Sequence, residues 1–378
     1  MKKLIQIYAG GVLGRKISIN QIKQKLDILK NQKPDGIIVG WSLEQQIYRW
    51  LREYTKEHKI ELYLWFQVLS EYKSLENFAE IKVLNGRKLQ SKVFDGDEEF
   101  SFYCPSHPDT FRYLTDIYEK YFSDINFDGI LLDRVRFPSL SSDRNALFSC
   151  TCPFCMEKLK KRGIGIEDVK KVHMQVKRGM ESGDILCIKE YKNGRYTFDF
   201  REIEEYLDVR TELITDIVKA LADYFREKGM KVGLDLFAPF LSIFVGQNYI
   251  KLSKNVDFIK PMLYRHTYTP AGMEYELDGM AGKQSECLKL IIGMEDSRLT
   301  DFMGKELEIA QRLSDCEIYA GMEIHTIRER PPIRLQSVRE GAELTEKMRC
   351  AGRVASWNIL EASDENLLAF MGGSEYEA

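Results

Sequence analysis

Short apolar runs alternate along this chain with stretches whose apolar residues recur every three or four positions. Residues 4–8 predict a first strand, and Ile19, Ile22, Leu26 and Leu29 carry helical spacing. Residues 35–39 predict a second strand, and Ser42 is the expected cap of a helix bearing Ile47, Trp50 and Leu51. The pattern continues with a strand over 60–65, a helix over 108–122 and a strand ending at Asp133. A helix comes next, with Leu213, Ile217, Leu221 and Phe225 at i, i+4 spacing. Residues 231–237 and 257–264 predict strands five and six. Residues 288–292 and 317–323 both qualify as strand seven; taking 274–293 as mainly helical leaves 317–323, and 353–358 is the last strand.

Such repeated β–α alternation implies a parallel sheet. Eight units favour a closed (β/α)8 TIM barrel, of the α/β class, over an open doubly wound sheet. The glycines of 9–14 miss the spacing of a dinucleotide-binding loop. Two connections, 67–107 and 134–202, are long, and in a barrel such βα connections lie on the catalytic face. The second is expected to hold short helices near 156–162 and 165–180. The expected organisation is one barrel domain over 1–366, with the insertion at about 134–202, and a C-terminal tail over 367–378.

Composition narrows the function classes. The chain is 44% apolar and 30% charged with net charge −3, a balance that argues against nucleic acid as partner. No apolar run reaches the length of a membrane span, and nothing resembles a signal peptide. The expectation is a cytoplasmic protein with its eight cysteines reduced and no membrane partner; a homo-oligomer remains open.

The chemistry is expected at strand ends. Residues 130–132 are a buried apolar run that delivers Asp133 to the tip of strand four, with Arg134, Arg136 and Pro138 directly after it. Strand-tip carboxylates are common catalytic groups in barrels of this class. Asp235 on strand five and Glu323 on strand seven are the other candidate catalytic acids. Asp235 has a structural alternative as the partner of a barrel lysine such as Lys260, and Glu323 as a loop acid. Glu295 and Asp296 are weaker candidates. Two carboxyl groups facing one bond are the minimum equipment for glycoside hydrolysis. Tyr8, Trp41, Trp65, Tyr264 and Trp357 stand at the same strand ends and suit the apolar faces of a sugar; Arg136 adds a cation beside Asp133 and a substrate contact.

Cys150, Cys152 and Cys155 form a C-x-C-x-x-C cluster in the second long connection, and Cys104 lies in the first. Four thiolates so arranged suit one structural zinc ion that pins the two connections together. His107 and His173 are alternative fourth ligands, whereas Cys187, Cys287, Cys316 and Cys350 are scattered and fit core positions.

Asp128, Gly129, Asp133, Arg136, Phe137 and Pro138 match an Asp-Gly-Ile-x-x-Asp-x-x-Arg-Phe-Pro signature, so the segment resembles the glycoside hydrolase-like barrel families that carry it. The four cysteines resemble the zinc cluster of family 42 β-galactosidases. Those enzymes carry an Asn-Glu pair at the end of strand four, where this chain has Asp133 and Arg134, so their β-galactosidase activity is not carried over. Glu323 is compatible with their nucleophile position.

The leading expectation is a glycoside hydrolase acting on an oligosaccharide or glycoside, with Asp133 as nucleophile or essential carboxylate and Glu323 or Asp235 as acid/base. The alternative is a non-catalytic carbohydrate-binding barrel. A metal-dependent hydrolase of another bond is disfavoured. No histidine cluster marks a strand end, and a four-thiolate site has no open coordination position.

Overall fold

The computed structural model describes residues 1–10, 17–70, 79–84, 86–92, 99–294, 299–326 and 332–372. Eight parallel strands close a barrel: β1 (Lys2–Tyr8), β2 (Gly36–Gly40), β3 (Glu61–Gln67), β4 (Gly129–Asp133), β5 (Lys231–Phe237), β6 (Phe258–Met262), β7 (Glu317–Glu323) and β8 (Gly352–Ser356). Each strand pairs with its neighbours in chain order, and β8 closes on β1. The helical spacing seen in the sequence becomes the outer layer. The helix Ile19–Ile28 starts at a capping box built by Ser18 and Gln21, and Pro108–Tyr121 starts with proline in its first turn.

The interior is built in layers that follow the two-residue alternation of strands. At the bottom lie Tyr63, Phe258 and Tyr319, with Phe258 stacked on Tyr319 at 4.6 Å. These rings need glycine opposite them: a Cβ on Gly129 would lie 2.4 Å from the Tyr63 ring, and one on Gly233 2.1 Å from Phe258. Leu4, Ile38, Leu131 and Val354 belong to the same apolar plug. Two residues further along their strands, the same inward parity brings Gln6, Asp133, Asp235 and Lys260 into the mouth.

The expected ambiguity at strand seven resolves toward 317–323, because residues 288–292 lie within the helix Ser285–Ile292. Four expectations are corrected. Ser42 does not cap the second helix; that helix runs Gln45–His58 with Glu44 at its N-cap, and the Ser42 hydroxyl accepts from Glu44 N outside it. The chain past 366 is not a tail from that point, since the helix Asp364–Phe370 buries Leu367 and Phe370. Cys287 is exposed rather than core, and Cys316 is half-buried. The insertion holds the expected helices, Pro153–Lys161 and Ile166–Ser182, but also a hairpin of Ile188–Lys192 and Arg195–Phe198. Among the described residues no helix is long and apolar enough to cross a membrane.

Candidate active site at the barrel mouth

Asp133 ends β4 and is 8% exposed. Its Oδ2 accepts from Trp65 Nε1 at 2.9 Å, and its Oδ1 accepts from the backbone N of Arg134 at 2.6 Å. Arg134 adopts a left-handed backbone, φ 55°, which turns the chain away from the strand. Its guanidinium then lies 4.4 Å above the Trp41 ring and donates to Ser70 Oγ at 2.9 Å. Asp128, the first acid of the signature, plays a different part. It accepts from Leu62 N and from Arg52, both at 2.7 Å, at the opposite end of β4.

The β4–β5 register pairs Leu132 with Leu234. One step further it sets Asp133 beside Asp235, one strand spacing of about 4.8 Å away. Asp235 Oδ2 accepts from Lys260 Nζ at 2.8 Å, the structural pairing that the sequence admitted. Lys260 also donates to Tyr264 Oη at 2.9 Å and to Gln6 Oε1 at 3.2 Å, so its three protons are all engaged. Asp235 Oδ1 and Gln6 Nε2 are buried without a hydrogen-bond partner. Burial pushes the Asp235 carboxyl up to about 7 against the pull of Lys260, and the neighbouring charge of Asp133 adds to the rise. Lys260 is held above its ordinary value: burial is the largest influence and opposes the charge, but Asp235 and Tyr264 together outweigh it.

The aromatic residues divide into two groups. Trp41 meets Trp65 at 4.8 Å and Tyr8 at 5.4 Å, the latter edge-on, along one side of the mouth. Trp357 packs edge-on against Tyr264 at 5.6 Å. Tyr8, Trp41 and Trp357 keep partly exposed rings, whereas Trp65 and Tyr264 are buried and present polar atoms instead. Arg136 lies further back, 7% exposed, with its guanidinium 4.7 Å from the Phe237 ring and 5.0 Å from Phe102. Burial lowers its pKa, and Glu276 and Asp133 are the charges that oppose the fall.

Glu323 ends β7 but is wrapped by a turn. Its Oε2 accepts from Arg265 N at 2.6 Å, its Oε1 from Thr267 N at 2.6 Å, and both accept from His266 N at 3.0 and 3.1 Å. Glu295 and Asp296 lie outside the described residues. Gln6 and the stacking role of Arg134 are absent from what the sequence singles out. Strand parity was the available signal for Gln6; nothing local announced the left-handed turn at Arg134.

The two long connections meet at the cysteines. Cys104, Cys150, Cys152 and Cys155 are free, buried and arranged with their Sγ atoms all within 4.8 Å of one another. Cys104 Sγ lies 3.4 Å from Cys152 Sγ and 3.3 Å from Cys155 Sγ. Four sulfurs about 2.3 Å from a tetrahedral ion would stand about 3.8 Å apart, so the cluster fits a metal with small adjustments. Mutual hydrogen bonding splits the thiols, pushing Cys150 and Cys152 down and Cys104 and Cys155 up, with Cys150 the leading partner of Cys104 and Cys104 that of the other three. The histidine alternatives are elsewhere: His107 accepts from Asp109 N at 3.2 Å as a helix cap, and His173 packs on Phe148 at 4.8 Å.

The closed eight-stranded barrel is a fold shared with solved structures of a glycoside hydrolase domain and a chitinase. The glycoside hydrolase domain of PgaB (BpsB) from Bordetella bronchiseptica matches with a TM-score of 0.64 at 14% identity, over 98% of this chain and 99% of that one. A class V chitinase from Pseudomonas fluorescens Pf-5 matches with a TM-score of 0.51 at 10% identity, over 99% of this chain and all of that one. At these identities the likeness is one of fold. No curated protein matches the chain. The family described as "Putative glycosyl hydrolase domain" matches residues 75–281, more than half of the chain. The chain belongs to that family, in agreement with the glycoside hydrolase expected from its strand-tip acids.

Proposed function

We propose that this protein cleaves an O-glycosidic bond of an oligosaccharide or glycoside at the barrel mouth, with Asp133 as the essential carboxylate. One observation carries the assignment. Among the described residues the carboxylate of Asp133 accepts from just two donors, in a mouth lined by Tyr8, Trp41 and Trp357. Asp235 is the neighbouring acid/base: its raised carboxyl retains a proton near neutral pH, the property required of a general acid. Side-by-side strand tips favour the ~5–5.5 Å carboxyl separation of a retaining mechanism over the ~6.5–9.5 Å of an inverting one. Asp235 Oδ1 and Gln6 Nε2 are the partners offered to substrate hydroxyl or amide groups. Glu323, with both oxygens already engaged by backbone amides, is left out of the reaction.

The four cysteines are proposed to bind zinc. Every coordination position would be taken by a thiolate, so the ion would hold the two long connections together and contribute to folding, not to bond cleavage. A cytosolic setting, where thiols stay reduced, suits this role. The non-catalytic sugar-binding alternative draws on one observation, the ion pair that ties Asp235 to Lys260.

A panel of oligosaccharides and aryl glycosides separates these readings, with chitin oligosaccharides first because one fold neighbour is a chitinase. Turnover of one of them, abolished in Asp133→Asn and retained after brief chelation at low temperature, is the expected result. Tight sugar binding without turnover across the panel would favour the binding barrel. Elemental analysis of protein purified without added metal should find about one equivalent of zinc. Less than about a tenth of an equivalent of any metal, with all eight thiols titrating freely, would sink the zinc assignment.

A further inference from the structure

The helix Arg201–Glu227 carries a buried cation that the proposed reaction does not use. Arg210 is 1% exposed. Its hydrogen bonds all go to backbone carbonyls: Nε donates to Ser149 O at 3.1 Å, Nη1 to Phe244 O at 2.9 Å and Nη2 to Ala146 O at 3.2 Å. The guanidinium also lies 4.4 Å from the ring of Phe137, in the segment just after β4. None of these acceptors is charged, and among the described residues no carboxylate is within ion-pair distance of Arg210. A fully buried charge without a counter-charge is strongly unfavourable, and proteins pair such groups or neutralise them.

The missing counter-charge has one nearby source. Burial depresses the Arg210 pKa, and the groups whose negative charge would restore it are Tyr206, Cys155 and Cys150. Tyr206 stays neutral, because burial pushes its phenol up, and its hydroxyl donates to Leu147 O at 3.1 Å. The two thiols belong to the four-cysteine cluster. Four thiolates around one divalent ion leave a net charge of about −2. The turn that Arg210 grips, Ala146 to Ser149, leads directly into Cys150. The cation is thus fastened to the arm that delivers the first ligand, and Lys82 N donates to Cys150 Sγ from the other side at 3.5 Å.

We propose that Arg210 is the buried counter-charge of the metal-loaded cysteine cluster, a positioning residue that slows release of the ion and holds the 146–150 turn against Phe137 and Phe244. This rests on the metal reading above and adds to it a residue that touches neither metal nor sugar. Partners of this kind around a metal site commonly change its affinity by about 10–100-fold when replaced.

The test is the rate at which a chromogenic chelator extracts zinc from the full-length, zinc-loaded protein, with circular dichroism confirming the fold. Arg210→Met keeps most of the bulk and removes the charge; extraction should be at least about tenfold faster. Arg210→Lys keeps the charge while losing the planar fork, and should remain within about threefold of the wild type. If Arg210→Met does not fold, Arg210→Gln replaces it as a neutral side chain that still donates to the carbonyls. A folded neutral variant that releases zinc at the wild-type rate overturns the proposal, as do Lys and neutral variants that release it equally fast. Wild-type protein that takes up no zinc brings down the metal reading together with this one. Wild type holding one equivalent beside an unaffected neutral variant brings down the Arg210 role alone.

Discussion

Asp133 and Glu323 end strands of the same barrel, and they are nearly equally buried at 8% and 7%. The neighbouring loops make them different groups. After β4 the chain turns away through the left-handed Arg134, whose own amide is, among the described residues, the one backbone donor to the Asp133 carboxylate; the indole of Trp65 is the second partner. After β6 the turn over 265–267 points three successive amides at Glu323 and fills both of its oxygens. A strand tip therefore delivers an acid to the mouth, and the adjoining loop decides how many backbone donors hold that acid.

The largest expected effect breaks this contrast at Asp133. Asp133→Asn should lower turnover by about three orders of magnitude on any substrate that the wild type cleaves, while sugar binding and melting temperature stay close to wild type. Near-wild-type turnover in a folded Asp133→Asn protein would remove the residue from the mechanism.

A smaller effect concerns Asp235, the acid beside Asp133 on the next strand. Its carboxyl is raised to about 7, by burial first and by Asp133 second. If its proton is used, activity should decline as pH rises through about 7, roughly tenfold per unit on the alkaline side. Asp235→Asn should erase that limb from the profile of the residual activity. Stability supplies an independent reading with a definite sign. The folded state keeps a proton that the unfolded chain gives up near its ordinary value of about 3.9, so this group's contribution falls as pH rises from about 4 to 7. Asp235→Asn should flatten that slope, and a profile unchanged by the substitution would show that Asp235 does not titrate in this range.

The smallest effect on rate is expected at Glu323. Glu323→Gln sets an amide NH2 against backbone donors, leaving a buried conflict that costs about 1–3 kcal/mol of stability. Turnover measured well below the melting temperature should stay within about threefold of wild type. A loss comparable to that in Asp133→Asn, without a fall in melting temperature, would return Glu323 to the chemistry and erase the distinction between the two tips.

Much of the scaffold was legible because barrel strands are buried on both faces and read as apolar runs. The bounds of β5 and β7 coincide with those expected, since each run is fenced by polar helix-ending residues. The hairpin of Ile188–Lys192 and Arg195–Phe198 was not expected, because lysine, arginine and glutamate dilute its alternation; the Asn193-Gly194 turn between its strands was the available signal. At the site, the acids were visible as polar residues closing apolar strands, and the four cysteines as a spacing pattern. Apart from Lys260, their partners were not. Both oxygens of Glu323 accept from backbone amides of residues 265–267, and backbone groups leave no mark on composition. Lys260 was expected as a barrel lysine paired with Asp235, whereas Gln6 lies on a separate strand and only closure of the barrel brings the two to one ammonium–amide contact at 3.2 Å.

The ring of Tyr63, Phe258 and Tyr319 settles the traffic of any sugar that reaches Asp133. With the base of the barrel stoppered, a glycan cannot thread the molecule end to end. Whatever enters the mouth has to depart by the opening through which it arrived. If the proposed cleavage occurs at Asp133, the half-exposed rings of Tyr8, Trp41 and Trp357 stand along the one way in and out.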